Sequence, residues 1–216
     1  MELVHSKTVG SKNKIEVQPL IKSPTIQLTG RKVEKFWIVQ AYPEIHVRNN
    51  FISGHLRTRG VGQGQYPLPY FDMTETIFGR ESNTIEICSR NVKVDNVSTA
   101  ATVDINPVFH PTWICDGQTL DGIPNNYFSR WRADPPFSQR AAQEMYGTDK
   151  PSPYKLLEAG ARVCKTGALL FLLLGPTNYQ WCPPCLKRIG CILLTVVPNN
   201  EIRCCNIYYK HSELAV

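Results

Sequence analysis

Two cysteines separated by two prolines are the residues whose types and spacing most directly suggest chemistry. They lie in the run Trp181, Cys182, Pro183, Pro184 and Cys185, which has the spacing of a thiol–disulfide redox pair. Such a pair needs a helix N-terminus to stabilise its first thiolate. The residues that follow instead read as two strands and a turn. A thiol–disulfide oxidoreductase that uses Cys182 and Cys185 is therefore an alternative, not the first prediction.

The same cysteines have the spacing of zinc ligands. Cys182 and Cys185 form a Cys-x-x-Cys pair, and Cys204 and His211 follow on the next predicted hairpin, so four suitable ligands could converge. A second Cys-x-x-Cys is absent, and Cys204 stands in an apolar run where a thiol behaves as a small hydrophobe. A zinc-stabilised nucleic-acid-binding module is a further alternative, and the first expectation is that no cofactor is bound.

The sequence contains no other recognisable catalytic pattern. It lacks G-x-S-x-G, H-E-x-x-H and D-x-D, and its five histidines are scattered. We therefore predict that the protein is not an enzyme.

Basic residues are concentrated near the beginning of the chain. The first 35 residues carry seven Lys or Arg against three Glu, which leaves +4 of the total +6. Such a segment attracts polyanions, either nucleic acid phosphates or acidic lipid headgroups. Two arginines in a glycine-rich loop add phosphate-binding donors. The predicted polyanion-binding residues are Lys7, Lys12, Lys14, Lys22, Arg31, Lys32, Arg57 and Arg59.

Two proline-rich segments resemble ligands of adaptor domains. Residues 66–70 read Tyr-Pro-Leu-Pro-Tyr, and residues 134–137 read Asp-Pro-Pro-Phe. An exposed segment of this kind docks as a polyproline II helix, so protein partners are expected at these loops.

Apolar periodicity predicts a sheet with few helices. Alternation predicts a hairpin over residues 84–95, and apolar runs predict strands over 167–174, 191–197 and 201–209. Two short helices are predicted near 137–163, ending at Gly147 and Gly160. Residues 49–83 and 106–135, rich in glycine and proline, are predicted as long loops. The fold class is therefore mainly β (or α+β).

Charge and hydropathy divide the chain into two regions. Residues 1–32 are predicted to form a basic N-terminal arm that is partly disordered, and residues 33–216 a single β-rich domain. No signal sequence or membrane-spanning run is visible. The predicted location is the cytoplasm, with peripheral membrane association.

These features together favour a non-enzymatic structural protein. A basic arm, a β-rich domain and intracellular thiols are typical of viral matrix- or capsid-like proteins. The predicted function is self-assembly into a homo-oligomer together with binding of RNA or an acidic membrane surface.

Replacing Lys7, Lys12, Lys14 and Lys22 together by alanine is expected to weaken binding to single-stranded RNA, because each lysine neutralises phosphate and releases counterions. Affinity of the unmodified protein should fall about 1,000-fold or more between roughly 50 and 200 mM salt if six or more phosphates are contacted. Fluorescence anisotropy measures both effects, and acidic vesicles provide the lipid comparison. If the variant keeps the affinity of the unmodified protein for both RNA and acidic vesicles, the arm is not the polyanion-binding segment.

Overall fold

The structure is a computed structural model that describes residues 2–6, 13–18, 26–33, 36–40, 44–48, 51–59, 66, 70–95, 98–175, 181–197 and 201–213. Its helices are α1 (Tyr70–Phe78), α2 (Gln139–Tyr146) and α3 (Pro153–Val163). Its strands are β1 (Glu2–Ser6), β2 (Asn13–Gln18), β3 (Ile26–Val33), β4 (Phe36–Gln40), β5 (Glu44–Arg48), β6 (Phe51–Arg59), β7 (Thr84–Ile87), β8 (Ala101–Asp104), β9 (Trp113–Ile114), β10 (Phe128–Ala133), β11 (Cys164–Leu174), β12 (Leu186–Val197) and β13 (Glu201–Lys210).

The predicted fold class, mainly β or α+β with two short helices near 137–163, is confirmed. The described strands form one mixed sheet in the order β1-β2-β3-β4-β5-β6-β12-β13-β11-β10-β7-β8-β9. Strands β9, β8, β7, β10 and β11 are parallel to their neighbours in this series. Strand β13 is antiparallel to both β11 and β12. Among the described helices, none has the length and apolar character needed to cross a bilayer.

Local signals determine both predicted helices. Ser138 caps α2 by accepting a hydrogen bond from the N–H of Ala141 at 3.0 Å, and Gly147 ends it with a φ of 66°, a left-handed conformation that suits glycine. Helix α3 was predicted to end at Gly160 but continues to Val163. The glycine has a packing role instead, because a Cβ there would lie 3.0 Å from the ring of Trp131.

Three other predictions were wrong. The region expected to be a loop over 49–83 contains β6 and α1, and the loop expected over 106–135 contains β10. Burial of Tyr70 and Phe78 (1% and 4% exposed) stabilises α1 through tertiary packing, which overrides the nearby turn signals. The hairpin expected over 84–95 does not form, because β7 pairs in parallel with β8 and β10.

The two faces of the central strands differ in chemistry. Trp131 and its apolar neighbours on β7 and β10 pack against α3, in a core that includes Leu156 and Leu170. The opposite face carries charge beneath α1, since alternate residues of a strand point to opposite faces. There Arg130 donates to the carbonyl oxygen of Phe78 at 3.2 Å.

A buried ion pair joins β7 to β10 on this charged face. The Nε of Arg132 donates to Oε1 of Glu86 at 2.6 Å, and neither side chain is exposed to solvent. The remaining guanidinium donors reach the carbonyl oxygen of Ser98 at 2.7 Å and the hydroxyl of Thr74 at 3.4 Å. Burial raises the pKa of Glu86, and the charge of Arg132 opposes that rise. The pair therefore depends on both partners being present.

The variant Arg132→Met is expected to lower the free energy of unfolding by about 3–5 kcal/mol, because Glu86 would remain buried without a cation. The double variant Arg132→Met/Glu86→Leu should recover most of that loss. Urea denaturation followed by circular dichroism measures both. Arg140→Met is the matched control, since its ion pair with Glu144 is exposed and contributes little. A double variant no more stable than the single one would show that the loss does not come from an unpaired carboxylate at Glu86.

Candidate functional site

A cleft of about 430 Å³ lies at the carboxyl ends of the parallel strands. The chain runs from β7 outward to β8 and β9, then returns to the other side of β7 as β10. Loops that follow β7 and β10 therefore diverge, and such a switch point is where open parallel sheets bind ligands. The residues that line the cleft come from the loops after β7, β8, β9 and β10 and from the start of α3.

Asp104 is the buried carboxylate of the cleft. It ends β8, is 2% exposed and lines the cavity. Its Oδ2 accepts a hydrogen bond from the N–H of Arg90, and its Oδ1 accepts one from the N–H of Asn106, both at 2.9 Å. These two bonds fix the orientation of the carboxylate, and each oxygen retains a further lone pair for a ligand hydroxyl.

The loop after β7 has an unusual backbone. Cys88 and Arg90 have φ values of 55° and 43°, in the left-handed region that residues other than glycine seldom adopt. The N–H of Ser89 between them donates to the carbonyl oxygen of Val103 at 3.1 Å. The guanidinium of Arg90 lies 5.0 Å from the ring centre of Phe109. The loop is thus held against β8 rather than free to change shape.

Gly117 allows the loop after β9 to approach the core. A Cβ at this position would lie 2.5 Å from Cγ2 of Ile87 and 3.3 Å from Cδ2 of Leu156, so only glycine fits without displacement. Its neighbour Asp116 is exposed at the mouth of the cleft and accepts a hydrogen bond from the N–H of Gln118 at 2.8 Å. The glycine therefore holds a second carboxylate beside the cavity.

The segment predicted to dock an adaptor domain is instead part of the site. Asp134, Pro135 and Pro136 are buried, and Pro136 lines the cleft. Asp134 forms an ion pair with Arg203 of β13, whose guanidinium also lies 4.7 Å from the ring centre of Phe137. A buried diproline cannot present a polyproline II face to a partner.

The other predicted docking segment is 66–70. Tyr66 and Tyr70 are buried, and their rings stack with centres 4.8 Å apart. Residues 67–69 lie outside the described residues.

The charge of the cleft is mildly acidic. Among the described residues, its charged lining consists of three carboxylates and two ammonium groups, Asp104, Asp116, Asp149, Lys150 and Lys155. Such a lining favours a cationic or neutral ligand over a polyphosphate.

The structure gives the Cys-x-x-Cys pair no helix. Strand β12 begins at Leu186, directly after Cys185, and the thiol of Cys182 donates to the carbonyl oxygen of Leu186 at 3.4 Å. Burial raises the pKa of both Cys182 and Cys185. A raised pKa disfavours the thiolate, so the alternative of an oxidoreductase that uses this pair has no structural support.

The structure brings only some of the predicted zinc ligands close together. The N–H of His211 donates to the carbonyl oxygen of Cys185 at 3.0 Å, so these two residues are neighbours. Cys204 lies further along β13, opposite Leu193. Within the described residues, no group of three or more His, Cys, Asp or Glu side chains is arranged to hold a metal ion.

The predicted polyanion-binding residues are remote from the cleft in sequence. Lys7, Lys12 and Lys22 lie outside the described residues. Those that lie in described strands are Lys14 in β2, Arg31 and Lys32 in β3, and Arg57 and Arg59 in β6. Polyanion binding by this set and disorder in residues 1–32 remain predictions.

Sequence reasoning missed Asp104, Asp116 and the role of Asp134. Asp104 is the last residue of β8, and Asp116 and Asp134 come shortly after β9 and β10. The signal that could have identified them is an acidic residue at the end of a strand, but it acquires meaning only when the strands are known to be parallel.

Comparison with known proteins finds similarity among solved structures. No family model and no curated protein matches the chain. The solved structure of TrmN from Thermus thermophilus is similar with a TM-score of 0.42 and 13% identity, over 59% of this chain and 43% of that one. The chain thus spans less than half the length of that protein.

The predicted function as a viral matrix- or capsid-like assembly protein is corrected. The parallel strands with a cleft at their carboxyl ends are not the contact-making sheet that this prediction implied.

Proposed function

We propose that the protein is an enzyme that binds S-adenosylmethionine in this cleft and transfers its methyl group to an amino group of a nucleic acid base. The observation that carries the proposal is an acidic cleft at the switch point of a parallel sheet that lacks a phosphate-binding loop.

The position of Asp104 fits the sugar of a nucleoside. In open parallel sheets, an acidic residue at the end of the second strand accepts hydrogen bonds from ribose hydroxyls. Asp104 ends β8, the strand next to β7, and faces the cavity. Its two backbone hydrogen bonds hold it ready to accept from a diol.

The loop after β7 argues against a phosphate-bearing nucleotide. Dinucleotide sites use glycines and a helix N-terminus at this point to bind pyrophosphate. The sequence has no glycine between Gly79 and Gly117, and the described residues between β7 and β8 contain no helix. With three carboxylates in its lining, the cleft suits a nucleoside that carries positive charge, and S-adenosylmethionine is a phosphate-free nucleoside with a sulfonium. When bound, it supplies an electrophilic methyl group, whose S–C bond breaks as a bond to the acceptor forms.

The segment after β10 suits an amino group as the acceptor. Pro135 and Pro136 have no N–H, so the backbone there offers carbonyl oxygens and no competing donors. Asp134 adds a carboxylate, which Arg203 orients. The carbonyl oxygens and the carboxylate can accept both N–H hydrogens of a neutral amino group and hold its lone pair toward the cleft. The carboxylate, and not the carbonyl oxygens, can then receive the proton that the nitrogen releases on methylation. Pro136 lines the cleft itself, so the acceptor and cofactor sites adjoin.

The ring of Phe137 supports a base as the group that carries the amino nitrogen. It is half-buried beside Asp134, with Arg203 on one face. Enzymes that modify bases hold them by stacking on aromatic rings and by hydrogen bonds to their edges. The net charge of +6 adds attraction for the phosphate backbone.

Binding of S-adenosylmethionine is expected to raise the melting temperature, by about 5–10 °C at a concentration 100 times the Kd, because the ligand binds only the folded state. Asp104→Asn should weaken binding at least about tenfold through loss of a charged acceptor. Asp121→Asn is the matched control, since Asp121 is exposed and does not line the cleft. Isothermal titration calorimetry measures each Kd. Tighter binding of NAD⁺ than of S-adenosylmethionine would overturn the cofactor assignment.

Methyl transfer is expected from tritiated S-adenosylmethionine to RNA or DNA, with an N-methylated base as the product in nucleoside mass spectrometry. Phe137→Ala should raise the KM for the nucleic acid at least about tenfold, because base stacking contributes roughly 1–3 kcal/mol, and Phe137→Tyr should restore it. Affinity for S-adenosylmethionine should stay unchanged in both variants. Retained cofactor binding without transfer to any nucleic acid would refute the acceptor class while leaving the cofactor assignment intact.

A further inference from the structure

Cys191 on β12 and Cys204 on β13 form a close pair of thiols. Their Sγ atoms are 2.9 Å apart, and both cysteines are unbridged. In the antiparallel register Cys191 is opposite Asn206 and Cys204 is opposite Leu193, which makes the cysteines diagonal neighbours across the two strands. A disulfide has an S–S distance of about 2.05 Å, so an approach of roughly 0.9 Å would join them.

The two thiols differ in environment. Cys191 is half-buried and therefore within reach of small solutes, whereas Cys204 is only 5% exposed. The contact between the two thiols and the nearby charge of Arg188 lower the pKa of Cys191, and the same contact raises the pKa of Cys204. Because Cys191 is also the more exposed of the two, its sulfur is the one that a small oxidant reaches first, and Cys204 is the thiol that attacks second.

The other described cysteines lack this combination. Burial raises the pKa of Cys205 to about 12, and it also raises the pKa of Cys164. The pKa values of Cys88, Cys115, Cys182 and Cys185 are raised as well. Reactivity toward an oxidant follows the thiolate fraction and access of the sulfur, which singles out Cys191.

We propose that Cys191 and Cys204 form a redox-active dithiol that small hydroperoxides, such as hydrogen peroxide, oxidise to an intramolecular disulfide. The Cys191 thiolate attacks one peroxide oxygen, so that an S–O bond forms, the O–O bond breaks, and the released hydroxide takes up a proton as water. Cys204 then attacks the sulfur of the resulting sulfenic acid, so that the S–S bond forms and the S–O bond breaks. The hydroxyl leaves with the Cys204 proton as a second water. Two electrons from the cysteine pair thereby reduce one peroxide to two water molecules.

The disulfide can be located in the unmodified full chain by peptide mapping. The reduced protein is freed of reductant, treated with a slight excess of hydrogen peroxide, blocked with N-ethylmaleimide and digested with trypsin. Cleavage after Arg188 and Arg203 places Cys191 and Cys204 on separate peptides, 189–203 and 204–210. The expected product is these peptides joined through Cys204, with Cys205 carrying the maleimide. Its mass is about 2 Da below the sum of peptide 189–203 with a free thiol and peptide 204–210 blocked only at Cys205, because two hydrogens are lost.

Two variants separate the steps. Cys204→Ser should leave Cys191 as a sulfenic acid that dimedone traps, and Cys191→Ser should give neither the adduct nor the linked peptides. Cys164→Ser, a buried thiol outside the pair, is the matched control and should form the disulfide as the unmodified chain does. Absence of the linked peptides from the unmodified chain, linkage through Cys205, or equal dimedone labelling of both single variants would overturn the proposal.

Discussion

The ion pair between Glu86 and Arg132 specifies how the central strands meet. Both side chains are fully buried, and each is tolerated there only while the other lies within hydrogen-bonding distance. A slip of β10 by one residue along β7 would turn Trp131 toward α1 and leave Glu86 without its cation, because adjacent residues point to opposite faces. The ion pair therefore specifies the register of β10 on β7 more strictly than apolar packing alone would.

The cleft follows from that register. With β10 held beside β7, the loop after β7 turns toward β8 while the segment after β10 turns toward α2. Asp134 lies two residues beyond Arg132, on the same face, and meets Arg203 of β13. Asp104 has a different environment, since backbone N–H groups hold its carboxylate. The carboxylate of Asp134 is thus neutralised by an arginine, whereas backbone hydrogen bonds keep the carboxylate of Asp104 oriented toward the cavity.

The sequence predicted local structure better than strand pairing. Gly147 ends α2 as predicted, because capping chemistry is local. Alternation at Ile85 and Ile87 correctly indicated a strand, although Thr84 and Glu86 on its other face are buried as well. The same pattern predicted a hairpin partner for that strand, which was wrong, because a parallel neighbour far along the chain leaves no local signal. The meaning of Asp134 was missed for the same reason. Whether a diproline is exposed or buried depends on which strands surround it, and Cys191 meets Cys204 only through the pairing of β12 with β13.

The position of β13 has a consequence for synthesis on the ribosome. This strand lies between β11 and β12, although it follows both in the chain. Until it emerges, β11 has an unpaired edge along a run of buried leucines, from Leu169 to Leu174, and β12 is separated from the parallel strands. Exposed apolar edges of this kind are where nascent chains associate wrongly. The sheet therefore cannot be completed until β13 has been synthesised, and a chaperone that covers β11 until then would protect the newly made protein.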